Sequence, residues 1–508
     1  MRERRRITLA AALVFVAALA IYGSMLPTGV GIGDEAEAQT VPYILGIPHP
    51  TGFPAFVLVG WLFSHAVPFS TVAWRIDALM ALCTALSAAG VVLLTVAIGG
   101  DVFAATFAGC AFAFGTTVWN GALHANSQVL AETLALYSLL ASVIYARSGN
   151  HRALIAAGAC CGFGVATHPA AIWVLPAIGV ALIWQRGTLT RRAFATAGAL
   201  FALPMLFYAY LPLRSVIVAA NGLDPTTAAP LHLIGGFDWD SHAPRTLAGF
   251  LDEVLSRKSR AAYSVEYAAD PRALPEAATL WLKLVSAQYP SGLLFLAVVG
   301  FLALAITNRR ALSVVGIAAL GAIAFAHAYR LDSHLDRYLF LSFAITAALA
   351  GASGQLPLPK VPANGVRIAV GLALALTVAF TLTQNRPRTT SRRFEDGEAI
   401  IAAVRSETPK KAVIVAQWND AAALGYGAFV EHALDARTIV AANPNEYSDR
   451  YERWSLSKPV IVLVSPVAEQ QLLPMWANLR EVQTSLPMYR MFAVVPPRPQ
   501  RHRRSARA

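Results

Sequence analysis

The chain has 508 residues, of which 56% are hydrophobic and only 14% charged, with a formal net charge of +12. So little charge excludes an ordinary soluble protein, and a basic excess that falls in short turns and tails reads as membrane topology and excludes a nucleic-acid surface. Repeated apolar runs of about 20 residues define an all-α polytopic membrane protein.

Met1 to Arg6 is basic and Ile7 to Leu26 apolar. This reads as an uncleaved first span with a cytoplasmic N-terminus, because the apolar run is long for a signal peptide. Pro27 to Trp74 then contains no Lys or Arg, but holds Asp34, Glu35, Glu37, His49 and His65 among Gly and Pro. A loop on the outer side of a membrane has this composition. Most acidic clusters are simply solvated. This one is followed by aromatic and apolar residues, whose proximity raises a carboxyl pKa toward that of a general base.

Phe53 to Val67 is too short for a confident span and is expected to lie at the outer surface. Further spans are expected at roughly 75–99, 102–118, 129–146, 153–167, 170–184, 193–213, 291–307, 311–328, 337–353 and 366–383, about eleven with the first. The short pieces meeting at Thr167-His168-Pro169 are either two tilted spans or a hairpin that does not fully cross. Arg147 and Arg152, Arg186, Arg191 and Arg192, and Arg309 and Arg310 mark the cytoplasmic turns. The membrane domain is thus 1–383, with outer loops 27–74 and 214–290.

From Gln384 the composition becomes that of a soluble protein. Buried strands are expected at 413–415, 438–440 and 460–464, with helices near 419–432 and 466–480. The region 384–508 therefore reads as a small α/β domain, extracytoplasmic by span parity, with a basic, disordered tail from Pro497 to Ala508. Cys83, Cys110, Cys160 and Cys161 all fall in apolar runs, so neither a disulfide framework nor a zinc site is expected. No phosphate-binding glycine loop is present, which argues against ATP-driven transport.

Several motifs recur to one pattern. Gly33-Asp34-Glu35-Ala36-Glu37 precedes His49-Pro50-Thr51-Gly52-Phe53-Pro54; Trp74-Arg75-Ile76-Asp77 opens the next span; Tyr210-Leu211-Pro212-Leu213-Arg214-Ser215 and Asp238-Trp239 come later. With these the chain resembles the DUF2723 family of protein O-mannosyltransferase-like membrane proteins. The likeness covers roughly the first half and extends weakly into 413–444. It departs at Asn126-Ser127-Gln128, where the family tends to carry Glu-Val-Tyr, and at Asp77, where Asn is expected.

The resemblance implies the C-type membrane glycosyltransferase fold and inverting transfer of a sugar, a hexose such as mannose. The donor would be a polyprenyl-phosphate sugar and the acceptor a hydroxyl of a protein or envelope glycan on the outer face of the cell membrane. Asp34 would be the base, with Glu37 second and Glu35 pointing away. A departing lipid phosphate needs cations, best arginine, so Arg75, Arg214, Arg330 and Arg337 are expected to bind substrate, together with His49 and His168. For Arg75 and Arg214 the bland reading is snorkelling to headgroups; for His168 it is helix packing. The lipid-linked sugar is a substrate, no resident cofactor or metal is expected, and the need for a divalent ion stays open. Two other classes remain: a non-catalytic envelope assembly protein, and a secondary transporter, which would hold its ionisable residues deep in broken helices.

Overall fold

The first apolar run folds as α1 (Arg2–Gly23), and the acidic stretch after it is itself helical, α2 (Asp34–Ile44). Asp34, Glu35 and Glu37 all lie in the first turn of α2, where free backbone N–H groups carry partial positive charge and favour acids. Next, α3 (Pro54–Ala66) starts on a proline, whose missing N–H is no loss at that position. Its 13 residues reach about 20 Å, short of a bilayer core of about 30 Å. It packs against α2 and against α4 (Val72–Ile98). Thr71 caps α4, its hydroxyl accepting the Trp74 N–H.

The computed structural model describes residues 1–257, 272, 274–328, 335–359, 361–390, 396–434, 436–443, 446–465 and 478–496. After α4 come α5 (Val102–Ala113) and α6 (Thr116–Ala122), bent by 68° at Phe114-Gly115. α7 (Ser127–Ser148) and α8 (His151–Thr167) follow, and a tight turn at Pro169–Val174 leads into α9 (Leu175–Trp184). α10 (Arg191–Ala202) and α11 (Tyr210–Asn221) form one 31-residue path. Beyond α12 (Leu247–Leu255), α13 (Leu274–Gln288) meets α14 (Ser291–Thr307) at a 118° bend. α15 (Arg309–Ala328), α16 (Phe340–Ala352) and α17 (Ala363–Thr390) complete the bundle.

Among the described residues, five helices are long and apolar enough to cross a membrane, or seven if each bent pair is one span. The expectation was about eleven by hydropathy. The difference lies in broken or short helices that still connect the two ends of the bundle. At the start of α8, His151 bonds the Thr188 carbonyl (2.9 Å), while His168 just past its end stacks on Phe53. So α8 runs the length of the bundle, and α9 runs back to where Gln185 bonds the Ala146 carbonyl (2.8 Å). At that same end Asn308 bonds the Ile98 carbonyl (3.2 Å) and Arg147 reaches the Ala97 carbonyl. The molecule is a multi-pass membrane protein.

The C-terminal part is a small α/β domain. α18 (Asp396–Glu407), β1 (Val413–Ala416), α19 (Trp418–Phe429), β2 (Thr438–Ala441), α20 (Ser448–Ser455), β3 (Val460–Val464), β4 (Leu479–Val482) and β5 (Arg490–Val494) build a sheet of order β2-β1-β3-β5-β4. β1 is parallel to β2 and β3, and β5 is antiparallel to β3 and β4. The parallel strands are continuous Val/Ile runs because both faces are covered. The helix expected over 466–480 is corrected at its end: Leu479 and Arg480 are in β4, and 466–477 lie outside the described residues, as does the tail 497–508. β4 is an edge strand carrying Arg480 and Glu481, so its apolar pattern is weak. α19 packs on α2, and Val30, Ala36, Val72 and Ala73 share one apolar core with Ile401, Leu424 and Tyr426.

Candidate active site

One cleft lies at the end of the bundle where α2 meets the C-terminal domain. Asp34, Glu37, His49, Phe53, Asn126 and Gln128 line it. Asp34 opens α2, directly after Gly33, whose φ of 60° suits glycine. The Gly33 N–H donates to the Asn419 carbonyl (2.9 Å), and a Cβ at Gly33 would come within 2.6 Å of Asn419 Oδ1. The Asp34 carboxylate is 48% exposed and faces the Arg337 guanidinium at 3.5 Å.

Glu37, one turn further on, is 2% exposed. Its Oε1 accepts the His49 backbone N–H (2.8 Å) and its Oε2 pairs with the His49 ring Nδ1. Both oxygens are therefore occupied by one residue. Burial alone would lower the His49 pKa, but the Glu37 carboxylate outweighs it and raises the value from 6.5 to about 9. His49 is thus cationic at neutral pH, next to a half-exposed carboxylate. Glu35 is not part of the cleft and bonds His124 Nδ1 at 2.7 Å.

His168 is brought to the cleft. It stacks on Phe53 (5.2 Å between centroids) and tilts against Tyr338 (5.5 Å). Its Nδ1 accepts the Ala170 N–H (3.0 Å), which leaves the ring proton on Nε2. Arg75 and Arg214 are elsewhere. Arg75 donates to the carbonyls of Ser64, Phe69 and Ser70 (3.0–3.1 Å). Arg214 donates to those of Ile44 and Leu45 (3.0 and 2.5 Å). Ser64 is in the last turn of α3, and Ile44 and Leu45 end α2, so these carbonyls are among those a helix leaves open at its C-terminus; the two arginines hold those helix ends, Arg75 also binding the turn at Phe69 and Ser70. Neither is brought to the cleft lined by Asp34 and His49. Arg330, with Asp332 and His334, lies outside the described residues.

Other polar groups fix this end of the bundle. Asp77, buried on α4, accepts from the Gln39 amide (3.0 and 3.1 Å) and the Ala125 N–H (2.8 Å), while Gln39 Oε1 accepts the Gly31 N–H (3.0 Å). Several donors converge on one acceptor-only group, which is why Asp serves where Asn was expected. Asn126 caps α7 by accepting the Val129 N–H (2.9 Å). Glu253, fully buried, pairs with His242 (2.9 Å) and Ser241 (3.1 Å) and comes within 3.3 Å of a Cβ built on Gly52, whose φ is +80°. Burial, only partly offset by His242, raises Glu253 from 4.5 to about 7. Asp238 is buried with neither carboxyl oxygen bonded. Burial first, then the charges of Glu37 and Asp224, hold it well above the usual carboxylate range. The sequence marked Asp77 and Asp238 only as parts of motifs; Gln39 and Glu253 carried no signal. Among the described residues, no group of three or more His, Cys, Asp or Glu is placed to hold a metal ion.

The fold is that of the C-type membrane glycosyltransferases. The structure is similar to ArnT from Cupriavidus metallidurans bound to undecaprenyl phosphate, at 14% identity and a TM-score of 0.53, covering 95% of this chain and 97% of that one. It is also similar to the Archaeoglobus fulgidus oligosaccharyltransferase in the apo form, at 14% identity and a TM-score of 0.54, covering 91% and 69%. Within that fold, residues 34–191 match the family model described as the protein O-mannosyl-transferase TMEM260 N-terminal domain. The chain is 26% identical over 397 residues to the Mus musculus protein O-mannosyl-transferase TMEM260, covering 73% of this chain and 54% of that protein. It is 37% identical over 67 residues to the Dictyostelium discoideum protein of the same name, covering 13% and 8%. The chain thus spans about half the length of the mouse relative.

Proposed function

We propose that this cleft is the active site of an inverting membrane glycosyltransferase of the DUF2723 kind. It moves a sugar, a hexose such as mannose, from a polyprenyl-phosphate donor to a hydroxyl of a protein or envelope glycan on the outer face of the membrane. The observation that carries this reading is the contrast between two acids one helical turn apart. Asp34 is open and faces Arg337, whereas Glu37 is buried and bonded twice to His49. The fold and the names of the relatives support it.

In the proposed reaction an Asp34 oxygen takes the proton of the acceptor hydroxyl as that oxygen attacks the anomeric carbon. The bond from the anomeric carbon to the phosphate oxygen breaks, and the lipid phosphate leaves with the electron pair. A single displacement from the opposite face inverts the anomeric centre. Arg337, Arg330 and the cationic His49 ring balance the negative charge of the leaving phosphate. His168 offers an Nε2–H beside Phe53. Glu37 orients His49, and Arg75 and Arg214 hold the helices that carry the site. No resident cofactor enters the scheme.

The test is Asp34→Asn in the purified full chain with a polyprenyl-phosphate mannose donor. Transfer is expected to fall ~10²–10⁴-fold with donor binding retained. Wild-type turnover in Asp34→Asn beside a dead Glu37→Gln would reverse the two roles, and wild-type turnover in both would remove the reading.

A further inference from the structure

Glu132 is the one acidic residue of α7, a helix long and apolar enough to cross a membrane. It is 5% exposed. An acid in such a helix is costly and is kept where it has a partner. Here the partner is the start of α16: Glu132 Oε2 accepts the Leu341 N–H (3.1 Å). Leu341 is the second residue of α16, so its N–H is among those a helix cannot satisfy by itself. The residue before the helix is Leu339, whose side chain makes no capping bond. Glu132 therefore caps α16 from a different helix, and a negative charge suits that position.

What lies just before α16 gives this cap a second consequence. The turn Leu335–Tyr338 carries Arg337, which faces Asp34 at 3.5 Å. Backbone bonds tie the turn to the helix: the Leu339 N–H donates to the Asp336 carbonyl (3.2 Å), and the Phe343 N–H to the Leu339 carbonyl (2.9 Å). One turn back along α7, Gln128 Nε2 donates to the Tyr338 hydroxyl (3.4 Å). Residues four apart share a helix face, so one face of α7 grips the chain both beside Arg337 and at the first turn of α16. From α6, Gly121 lets the Phe340 ring approach closely, since a Cβ there would come within 2.5 Å of the ring. Resting on the glycosyltransferase reading, we infer that Glu132 is a positioning residue of the reaction: by holding the Leu341 N–H it sets the place of the Arg337 guanidinium opposite Asp34, where the donor phosphate leaves. It acts through Arg337 and exchanges no proton with the substrate.

The test uses the full chain and reads two quantities, binding of a short-chain polyprenyl phosphate and donor kcat/KM with polyprenyl-phosphate mannose. Glu132→Ala removes the acceptor, Glu132→Asp keeps the charge but is one methylene shorter, and Glu132→Gln keeps an acceptor at the same reach. Both quantities are expected to fall about tenfold in Glu132→Ala, about threefold in Glu132→Asp and within about twofold in Glu132→Gln. In an Arg337→Ala background, Glu132→Ala should cost no more than about twofold, because the residue it positions is gone. Full additivity in that background would make Glu132 a packing residue alone. Tighter binding by Glu132→Asp than by Glu132→Gln would show that charge matters and position does not. Either result, or wild-type values in all three variants, overturns the inference and leaves the Asp34→Asn result to judge the enzyme reading. If Glu132→Ala does not fold, Glu132→Asp takes its place in the Arg337→Ala background. A wild-type chain that neither binds polyprenyl phosphate nor uses the mannose donor would overturn the donor reading and this inference with it.

Discussion

The two ends of the helical bundle are built on opposite principles. At the cleft end, acids are paired inside the protein: Glu37 with His49, Glu35 with His124, Asp77 with Gln39 and the Ala125 N–H, Glu253 with His242. At the other end Arg152, Arg186, Arg191, Arg192, Arg309 and Arg310 are exposed, and the hydrogen bonds there close helix ends. A buried ion pair is costly to break because it leaves a charge without a partner. Exposed arginines are cheap to alter. Charge at the cleft end therefore fixes a geometry, whereas charge at the far end lies on the surface.

The largest effects are expected where an acid is altered at the cleft end. Below Asp34→Asn comes Glu37→Gln. Gln still accepts the His49 N–H but no longer supports a cationic ring, so the ring beside Asp34 shifts. Turnover is expected to fall about 10–100-fold, with kcat affected more than donor KM. Wild-type kcat would show that the Glu37–His49 pair has no part in the site.

Arginine substitutions sharpen the contrast within the cleft end itself. Arg337→Lys is expected to lower kcat/KM for the donor about tenfold, because one ammonium does not replace a planar fork. Arg214→Lys keeps at most one of two carbonyl bonds at the end of α2. It is expected to destabilise by about 1 kcal/mol and to leave turnover within about threefold. The opposite ranking in a donor titration would exchange the roles of the two residues.

The smallest effect is in pH dependence. His49 holds its proton to about 9 in the folded chain against an ordinary 6.5. Its contribution to stability is fully present below 6.5 and is lost as pH rises through about 9. The difference in thermal midpoint between wild type and His49→Gln should therefore narrow from pH 6.5 to above 9, and a constant difference would deny the cationic ring.

Much of this was legible in the sequence, for identifiable reasons. The stretch containing Asp34, Glu37 and His49 stands out because it holds no Lys or Arg in a chain of net charge +12. The three Val/Ile strands stand out because parallel strands are apolar on both faces. Arg75 and Arg214 could not be placed, since an arginine that caps a helix and one that binds phosphate look alike until the carbonyls of Ser64 or Leu45 are located. The packing of Trp418 on His49 was equally silent: it depends on docking between segments far apart in the chain, by way of the core that Ala36 and Ala73 share with Leu424. Leu479 and Arg480, the start of edge strand β4, fell at the end of the expected helix because their pattern reports pairing with β5 rather than burial.

In the proposed function the lipid-linked donor reacts at the acidic end of the bundle. A photoreactive polyprenyl-phosphate sugar, crosslinked to the full chain in bilayers and mapped by peptide mass analysis, tests it most directly. Adducts are expected in the peptides carrying Asp34 to Phe56 and Leu335 to Phe340, reduced by Arg337→Lys. Adducts confined to the peptides carrying Arg147 to Arg152, Arg186 to Arg192 or Arg309 and Arg310 would contradict it.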